Sequence, residues 1–304
     1  MTVTIKDAEI REHLRERSVA TLRRRTYISD VMTALCWLAI TFAAVPLVAV
    51  IYQLLRRGIP VIVKSGFFTT LPQQPTIFDA NNTGGVSNAL VGSLAVIVYA
   101  ALFAVPIGVL MGVYLAEATS KFASLLRIIT ATMVGAPSIL MGLFAFEVVV
   151  QQMHVGFSII AGSFGLAVLV LPVLATATEI AIRNVPSTYR EAGLALGAKP
   201  STTSLKIVLP AASTGIVSGI ILALSRAVGE TAPILLVIGG AYAIAWHPNQ
   251  AASALPFQMF QDVQSNYPSL QNETWGIALV LVGAVFIISF AARWWAARKK
   301  KVQR

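Results

Sequence analysis

The sequence predicts an all-α, polytopic membrane protein with six transmembrane helices, and three observations predict it. First, 56% of the 304 residues are hydrophobic and only 12% are charged, whereas a soluble domain carries about 25% charged residues. Second, the charges are segregated and leave six long uncharged stretches, at 31–55, 86–116, 128–146, 148–178, 207–225 and 274–292. Third, nineteen of the 23 Lys and Arg residues fall on one side if those six stretches all cross a bilayer.

A helix needs ~20 apolar residues to cross the hydrocarbon core, so each stretch has span length, the second being tilted or overlong. Backbone groups in lipid must close their own hydrogen bonds, which makes helices the expected form. The first apolar run follows about thirty charged and polar residues. It is too long and too late for a cleavable signal sequence, so none is expected. Cys36 is the only cysteine. It excludes a disulfide within the chain and a cysteine metal site, and is expected to be a small packing residue of the first span.

The basic residues set the expected orientation. The N-terminal tail holds Lys6, Arg11, Arg15, Arg17, Arg23, Arg24 and Arg25, and the C-terminal tail holds Arg293, Arg298, Lys299, Lys300, Lys301 and Arg304. Lys121 and Arg127 follow the second stretch, and Arg183, Arg190, Lys199 and Lys206 follow the fourth. Only Arg56, Arg57 and Lys64 fall on the other side, with Arg226 inside the fifth stretch. By the positive-inside rule both termini are cytoplasmic. The net charge of +10 is then a topology signal and not a nucleic-acid footprint. The organisation expected is a basic tail at 1–30, a membrane domain at 31–295 and a basic tail at 296–304. The first tail has the makings of a weakly amphipathic helix held by anionic lipid.

The outward segment 56–85, with Asn81-Asn82-Thr83-Gly84-Gly85, reads as an irregular loop. Segment 241–273 has no Lys or Arg, and its apolar Ala254-Leu255-Pro256-Phe257 suggests a re-entrant or pore-lining piece. Pro46, Pro106, Pro137, Pro172 and Pro233 lie in or beside five of the spans, which predicts bent helices around a pathway. Gly108 with Gly112, and Gly215 with Gly219, predict two faces of close helix packing.

The most specific segment lies after the fourth span: Glu191-Ala192-Gly193-Leu194-Ala195-Leu196-Gly197, then nine residues, then Ile207-Val208-Leu209-Pro210. Thr188 and Glu191 have capping-box spacing, so a short helix is expected to start at Thr188. Gly197 suits the left-handed turn that would end it. This pattern resembles the E-A-A, three residues, G, nine residues, I-x-L-P loop of binding-protein-dependent ABC importer permeases, with Gly193 in place of the third-position Ala. The resemblance implies a type I importer (MetI-like) fold. It makes 183–206 a coupling loop that docks on a separate ATPase, with Glu191, Ala192, Gly193 and Gly197 at the docking positions. No G-x-x-x-x-G-K-[ST] loop occurs in the chain, so ATP-Mg is expected on the partner ATPase, with no cofactor or metal in this chain.

The fifth span contains Arg226-Ala227-Val228-Gly229-Glu230-Thr231-Ala232-Pro233. An Arg at a membrane-helix centre costs ~2.5–3.5 kcal/mol on insertion scales. Four residues apart, Arg226 and Glu230 share a helix face, and Arg before Glu is the weaker order for such a pair. A functional reading is favoured over simple self-neutralisation, with Gly229 and Pro233 helping to unwind the helix. The guanidinium fork fits a tetrahedral oxyanion. A carboxylate can take a hydrogen bond from phosphate, which keeps a proton near neutral pH where sulfate does not. Side-chain types alone equally permit molybdate or sulfate.

The same octapeptide, the segment Gly84-Gly85-Val86-Ser87-Asn88-Ala89-Leu90-Val91-Gly92-Ser93, Pro137-Ser138-Ile139, Ala254-Leu255-Pro256 and Trp275 resemble the phosphate-specific permeases of the PstA type. The likeness covers about residues 30–295, with Ser213-Thr214 where many relatives have Pro-Gly. It implies phosphate as substrate and a bacterial cytoplasmic (inner) membrane location. It also implies a homologous second permease, an ATP-binding cassette ATPase dimer and an extracytoplasmic phosphate-binding protein as partners. Arg226, Glu230 and Thr231 are then pathway residues, with Glu147 the other acid at membrane depth. An intramembrane enzyme is not expected, because His13, His154 and His247 lie outside the spans and no nucleophile–base pair is visible. A self-contained channel or secondary transporter would have no use for a docking loop. Glu117 and Glu179, at cytoplasmic helix ends, are assigned no function.

Overall fold

The computed structural model describes the backbone of residues 2–73 and 84–302, and the side chains of 25–73, 84–291 and 294. Residues 1–55 and 56–304 form two compact units. Helix α1 is Thr2–Ile62. In the first unit Trp37, Leu38, Phe42 and Val45 are all exposed, the pattern of a helix whose surroundings are lipid or another protein. Cys36 is exposed as well, correcting the expectation of a packed residue. The helical course starts within the basic tail, but the side chains that would make it amphipathic lie outside the described residues.

The second unit begins with the last turns of α1 and an irregular turn at 63–73. Asn81, Asn82 and Thr83 of the predicted external loop lie outside the described residues. The returning chain is pinned where Val86 N donates to Phe67 O at 2.8 Å and Ser87 Oγ to Thr70 O at 2.8 Å. There α2 begins (Ser87–Glu117). Next come α3 (Lys121–Val134), α4 (Ser138–Ala145) and a π-helical continuation, Phe146–Gln152. The stretch 128–146 is therefore not one straight span: α3 and the α4 segment are bent by 106°. The cause is local, because Pro137 pushes Ala136 out of the helical region directly after Gly135.

Helix α5 is Ile159–Arg183, followed by the short α6 (Ser187–Ala195) and α7 (Pro200–Thr203). A π turn, Ser204–Val208, leads into α8 (Leu209–Ala227). After a break come α9 (Ala232–Leu235), α10 (Leu255–Val263) and α11 (Pro268–Val302). Among the described residues five helices are long and apolar enough to cross a membrane, or six if the bent pair counts as one span.

Helix α5 is the centre of this unit, with Leu166 and Leu174 fully buried. Both predicted glycine faces meet it. A Cβ on Gly108 of α2 would sit 2.7 Å from Leu174 Cβ, and Cβ atoms on Gly215 and Gly219 of α8 would sit 2.9 and 2.8 Å from Ala181 and Ala177 Cβ. Such distances exclude any larger residue, so these glycines let helix backbones approach. Pro106 and Pro172 remain inside unbroken helices, while Pro137 and Pro233 mark real breaks.

The loop before α10 closes over one end of the bundle. Ser158 N donates to Val237 O and Ile159 N to Gln250 O, while the Ser93 hydroxyl accepts from Leu255 N at 2.7 Å. Ala254, Leu255, Pro256 and Phe257 are buried. They fill the bundle rather than lining a lumen, because their apolar area is satisfied by packing within this chain.

Candidate functional site

Helix α8 stops at Ala227 and the chain resumes as α9 only at Ala232, so the fifth span is discontinuous at 228–231. Tight turns replace the helix: Gly229 N donates to Arg226 O at 3.3 Å and Glu230 N to Ala227 O at 3.2 Å. Arg226 occupies the last turn of α8, where the negative end of the helix dipole favours a cation. Its Nε lies 3.5 Å from Glu230 Oε1, and the two side chains are 67% and 20% exposed. A mostly exposed guanidinium in an apolar span is not a group that lipid accepts. It needs water, an anion or another protein surface.

Arg226 and Glu230 border a cleft of about 20 Å³ with Met133, Leu169, Val173 and Ala223. Roughly 10–15 Å³ is enough for one water molecule, so this cleft is too small to enclose an oxyanion. Thr231 is not part of it. It lines a separate apolar groove of about 690 Å³ with Leu235, Met259, Phe260 and Trp275. Glu147 is elsewhere again, exposed on the π-helical segment and accepting a hydrogen bond from Gln152 Nε2 at 3.1 Å. Of the four predicted pathway residues the fold brings two together.

The loop helix is α6. It starts at Ser187 with Pro186 as N-cap and no side-chain cap, so the Thr188–Glu191 capping box does not form. Ser187 is already helical, which places Thr188 inside the first turn instead of at its entrance. The C-terminal expectation is met in full. Gly197 has φ +80, its N–H donates to Leu194 O at 2.9 Å, and Ala198 N–H donates to Gly193 O at 3.1 Å. Those two bonds are a Schellman motif.

Glu191, Ala192 and Gly197 are exposed, but Gly193 is buried. A Cβ there would lie 2.8 Å from both Ile207 Cδ1 and Thr203 Cγ2. Gly193 therefore faces this chain and not a partner, and the departure from the E-A-A pattern fits the Thr203 and Ile207 side chains beneath it. The exposed side also carries Tyr189, Leu194 and Leu196, the last 88% exposed. Sequence reasoning passed over these apolar residues, although Leu194 and Leu196 stand within the motif itself.

A second feature was not anticipated, a polar cavity of about 390 Å³ bordered by Asn88, Tyr242, Gln258, Gln261, Asp262 and Ser265. Asn88 Nδ2 donates to Ala241 O at 2.6 Å. Burial pushes the Asp262 carboxyl up to about 7, against the lowering effect of a hydrogen bond from Gln258. Its signal was an acid, one of two with Glu273, in the segment 241–273 that has no Lys or Arg. Among the described residues no group of three or more His, Cys, Asp or Glu is placed to hold a metal ion.

Comparison with known proteins meets this geometry. A family model described as the binding-protein-dependent transport system inner membrane component matches residues 104–300. The chain is similar to the phosphate transport system permease protein PstA 1 of Mycobacterium tuberculosis, at 35% identity over 93% of this chain and 92% of that protein. It is similar to the phosphate transport system permease protein PstA of Haemophilus influenzae, at 32% identity over 91% and 96% of the two chains. Among solved structures, the inward-facing MetNI methionine ABC transporter matches with a TM-score of 0.54 at 22% identity, over 70% of this chain and 93% of that one. That likeness carries the fold, a MetI-like permease bundle. A multi-pass helical bundle with a broken fifth span and a short loop helix ahead of it, the chain belongs to the binding-protein-dependent transport system inner membrane component family.

Proposed function

We propose that this chain is the permease subunit of an ATP-driven importer of inorganic phosphate, forming the translocation pathway together with a second, homologous permease. Its relatives are named as phosphate transport permeases, and nothing in Arg226 or Glu230 conflicts with a protonated tetrahedral oxyanion. The observation that carries the pathway reading is the 67% exposed Arg226 beside Glu230 at the break of the fifth span. One subunit leaves that guanidinium uncovered and its cleft too small for an ion, so a second subunit completes the path. The ATPase dimer docks on the exposed side of α6, around Glu191, Ala192 and Leu196, and ATP-Mg stays on that partner. A phosphate-binding protein delivers substrate at the opposite face. Both termini are cytoplasmic, in keeping with the distribution of Lys and Arg.

The test is radiolabelled phosphate uptake in cells lacking this gene, complemented with wild type, Arg226→Ala or Glu191→Arg, with excess sulfate or molybdate as competitor. Uptake restored by wild type, indifferent to the competitors and lost in both variants, supports the proposal. Suppression by sulfate or molybdate would move the assignment to another oxyanion. Reporter fusions at residues 70 and 304 test the orientation, with residue 304 expected in the cytoplasm and residue 70 outside.

A further inference from the structure

The two acids left without a role, Glu117 and Glu179, are both engaged at the end of α2. Glu179 Oε1 accepts from Arg127 Nε at 2.9 Å and from Arg183 Nε at 3.0 Å. The Nη2 atoms of the same two arginines both donate to Leu115 O, at 2.6 and 3.2 Å. Leu115 lies in the last turn of α2, where carbonyls have no intrahelical donor and the dipole is negative. One buried carboxylate, with its side chain only 11% exposed, thus aligns two guanidiniums from α3 and α5 onto one carbonyl of α2. Two residues further on, Glu117 Oε1 accepts from Arg190 Nη2 of α6 at 2.9 Å.

We propose that these contacts form a transmission joint in which Glu179 is the positioning residue. The docking helix α6 is hooked by Arg190 and Glu117 to the end of α2, and the Arg127–Glu179–Arg183 clamp locks that end to α3 and α5. A push on α6 then reaches the central α2–α5 pair rather than being lost in a slack loop. Coupling of this kind requires an element whose position both ends bias, and the end of α2 is the point where both sets of bonds converge. The inference rests on α6 being the ATPase-docking helix.

Removing the charge of Glu179 while keeping its shape, as in Glu179→Gln, leaves two arginines on one carbonyl with no anion between them. In the complete reconstituted transporter this variant is expected to lower phosphate uptake per ATP hydrolysed by about tenfold, within the span usual for coupling between sites, while the ATPase still co-purifies. Glu117→Arg and Arg190→Glu are each expected to lower the same ratio without lowering the melting temperature of the complex, and the two together to restore it. A merely structural pair would move the melting temperature along with the ratio. An unchanged ratio in Glu179→Gln, or a double exchange no better than either single, overturns the joint. If Glu179→Gln does not assemble, the charge exchange decides alone. Failure of the underlying reading looks different: Glu191→Arg would then leave ATPase co-purification intact. If the wild-type complex hydrolyses ATP without importing phosphate, the substrate assignment fails, and the joint is read from permease-stimulated hydrolysis in the same variants.

Discussion

Two Arg–Glu pairs in this protein share the same four-residue spacing and little else. In α5, Glu179 precedes Arg183, the pair lies at 3.0 Å, and the carboxylate is nearly buried and shared with Arg127. At the end of α8, Arg226 precedes Glu230, the pair is stretched to 3.5 Å and its arginine is 67% exposed. Glu before Lys or Arg is the favourable order on a helix, and the reverse is weaker. The first pair is closed by Arg127 and the Leu115 carbonyl. The second sits on a broken helix with its guanidinium turned outward. Identical chemistry serves as a fastening in one place and, on the proposed reading, as an open anion contact in the other. The number of further partners separates the two.

Substitutions can break this contrast. The largest effect is expected from Arg226→Ala, which removes the open guanidinium. On the proposed reading the second subunit and the anion cover this arginine. Truncating one member of such a desolvated charge contact costs about 2–5 kcal/mol, so uptake should fall by about 30-fold or more while the melting temperature of the purified complex hardly moves. The matching change in the closed pair, Glu179→Ala, should do the reverse in a denaturation assay. Breaking a buried pair costs about 3–5 kcal/mol, and with Arg127 and Arg183 partly exposed a loss of about 2 kcal/mol is expected. An Arg226→Ala variant that melts far below wild type would erase the distinction.

Gly193→Ala sharpens the picture of α6. Its new methyl would press on Thr203 and Ile207, and overpacking typically costs about 1–3 kcal/mol. A drop near the low end, relieved by Thr203→Ala in the same chain, is the expected thermal-shift result.

The smallest effect concerns a carboxylate with an amide as its hydrogen-bond partner. Asp262 lies in α10, outside the helices long enough to span, and burial raises its carboxyl from 3.8 to about 7. The folded state therefore holds this proton more tightly than the unfolded chain. The stability it contributes is complete below pH 3.8, falls as pH rises toward about 7, and is level above that. Asp262→Asn should flatten this decline, gaining about 1 kcal/mol over wild type at pH 8. Equal pH dependence in the two proteins would remove Asp262 as its source.

Much of the scaffold was readable residue by residue. Gly108, Gly112, Gly215 and Gly219 repeat at helical spacing, and they do carry the packing on α5. Gly197 promised a left-handed end to α6 and supplies one. Gly229 and Pro233 promised a break, and 228–231 is unwound. Each is a local property, fixed by neighbours a few positions away. Two things were not legible. Thr188 and Glu191 had correct spacing for a capping box, but Pro186 had already started the helix one residue earlier. The sequence places Thr231 in the same octapeptide as Arg226 and makes Glu147 the other acid at membrane depth, but it does not say that neither shares the Arg226–Glu230 cleft.

The sequence by itself determined that the chain is a bundle of apolar helices, which glycines bring them together and where the fifth is interrupted. Apolar run length, helical periodicity and backbone preference are encoded within a turn or two. Tertiary structure alone decided which acids meet which bases. Arg127 reaches Glu179 across 52 residues and Arg190 reaches Glu117 across 73, and no spacing rule spans such distances. It also decided that Gly193 faces inward and that Arg226 is left open, because both depend on what the surrounding helices cover.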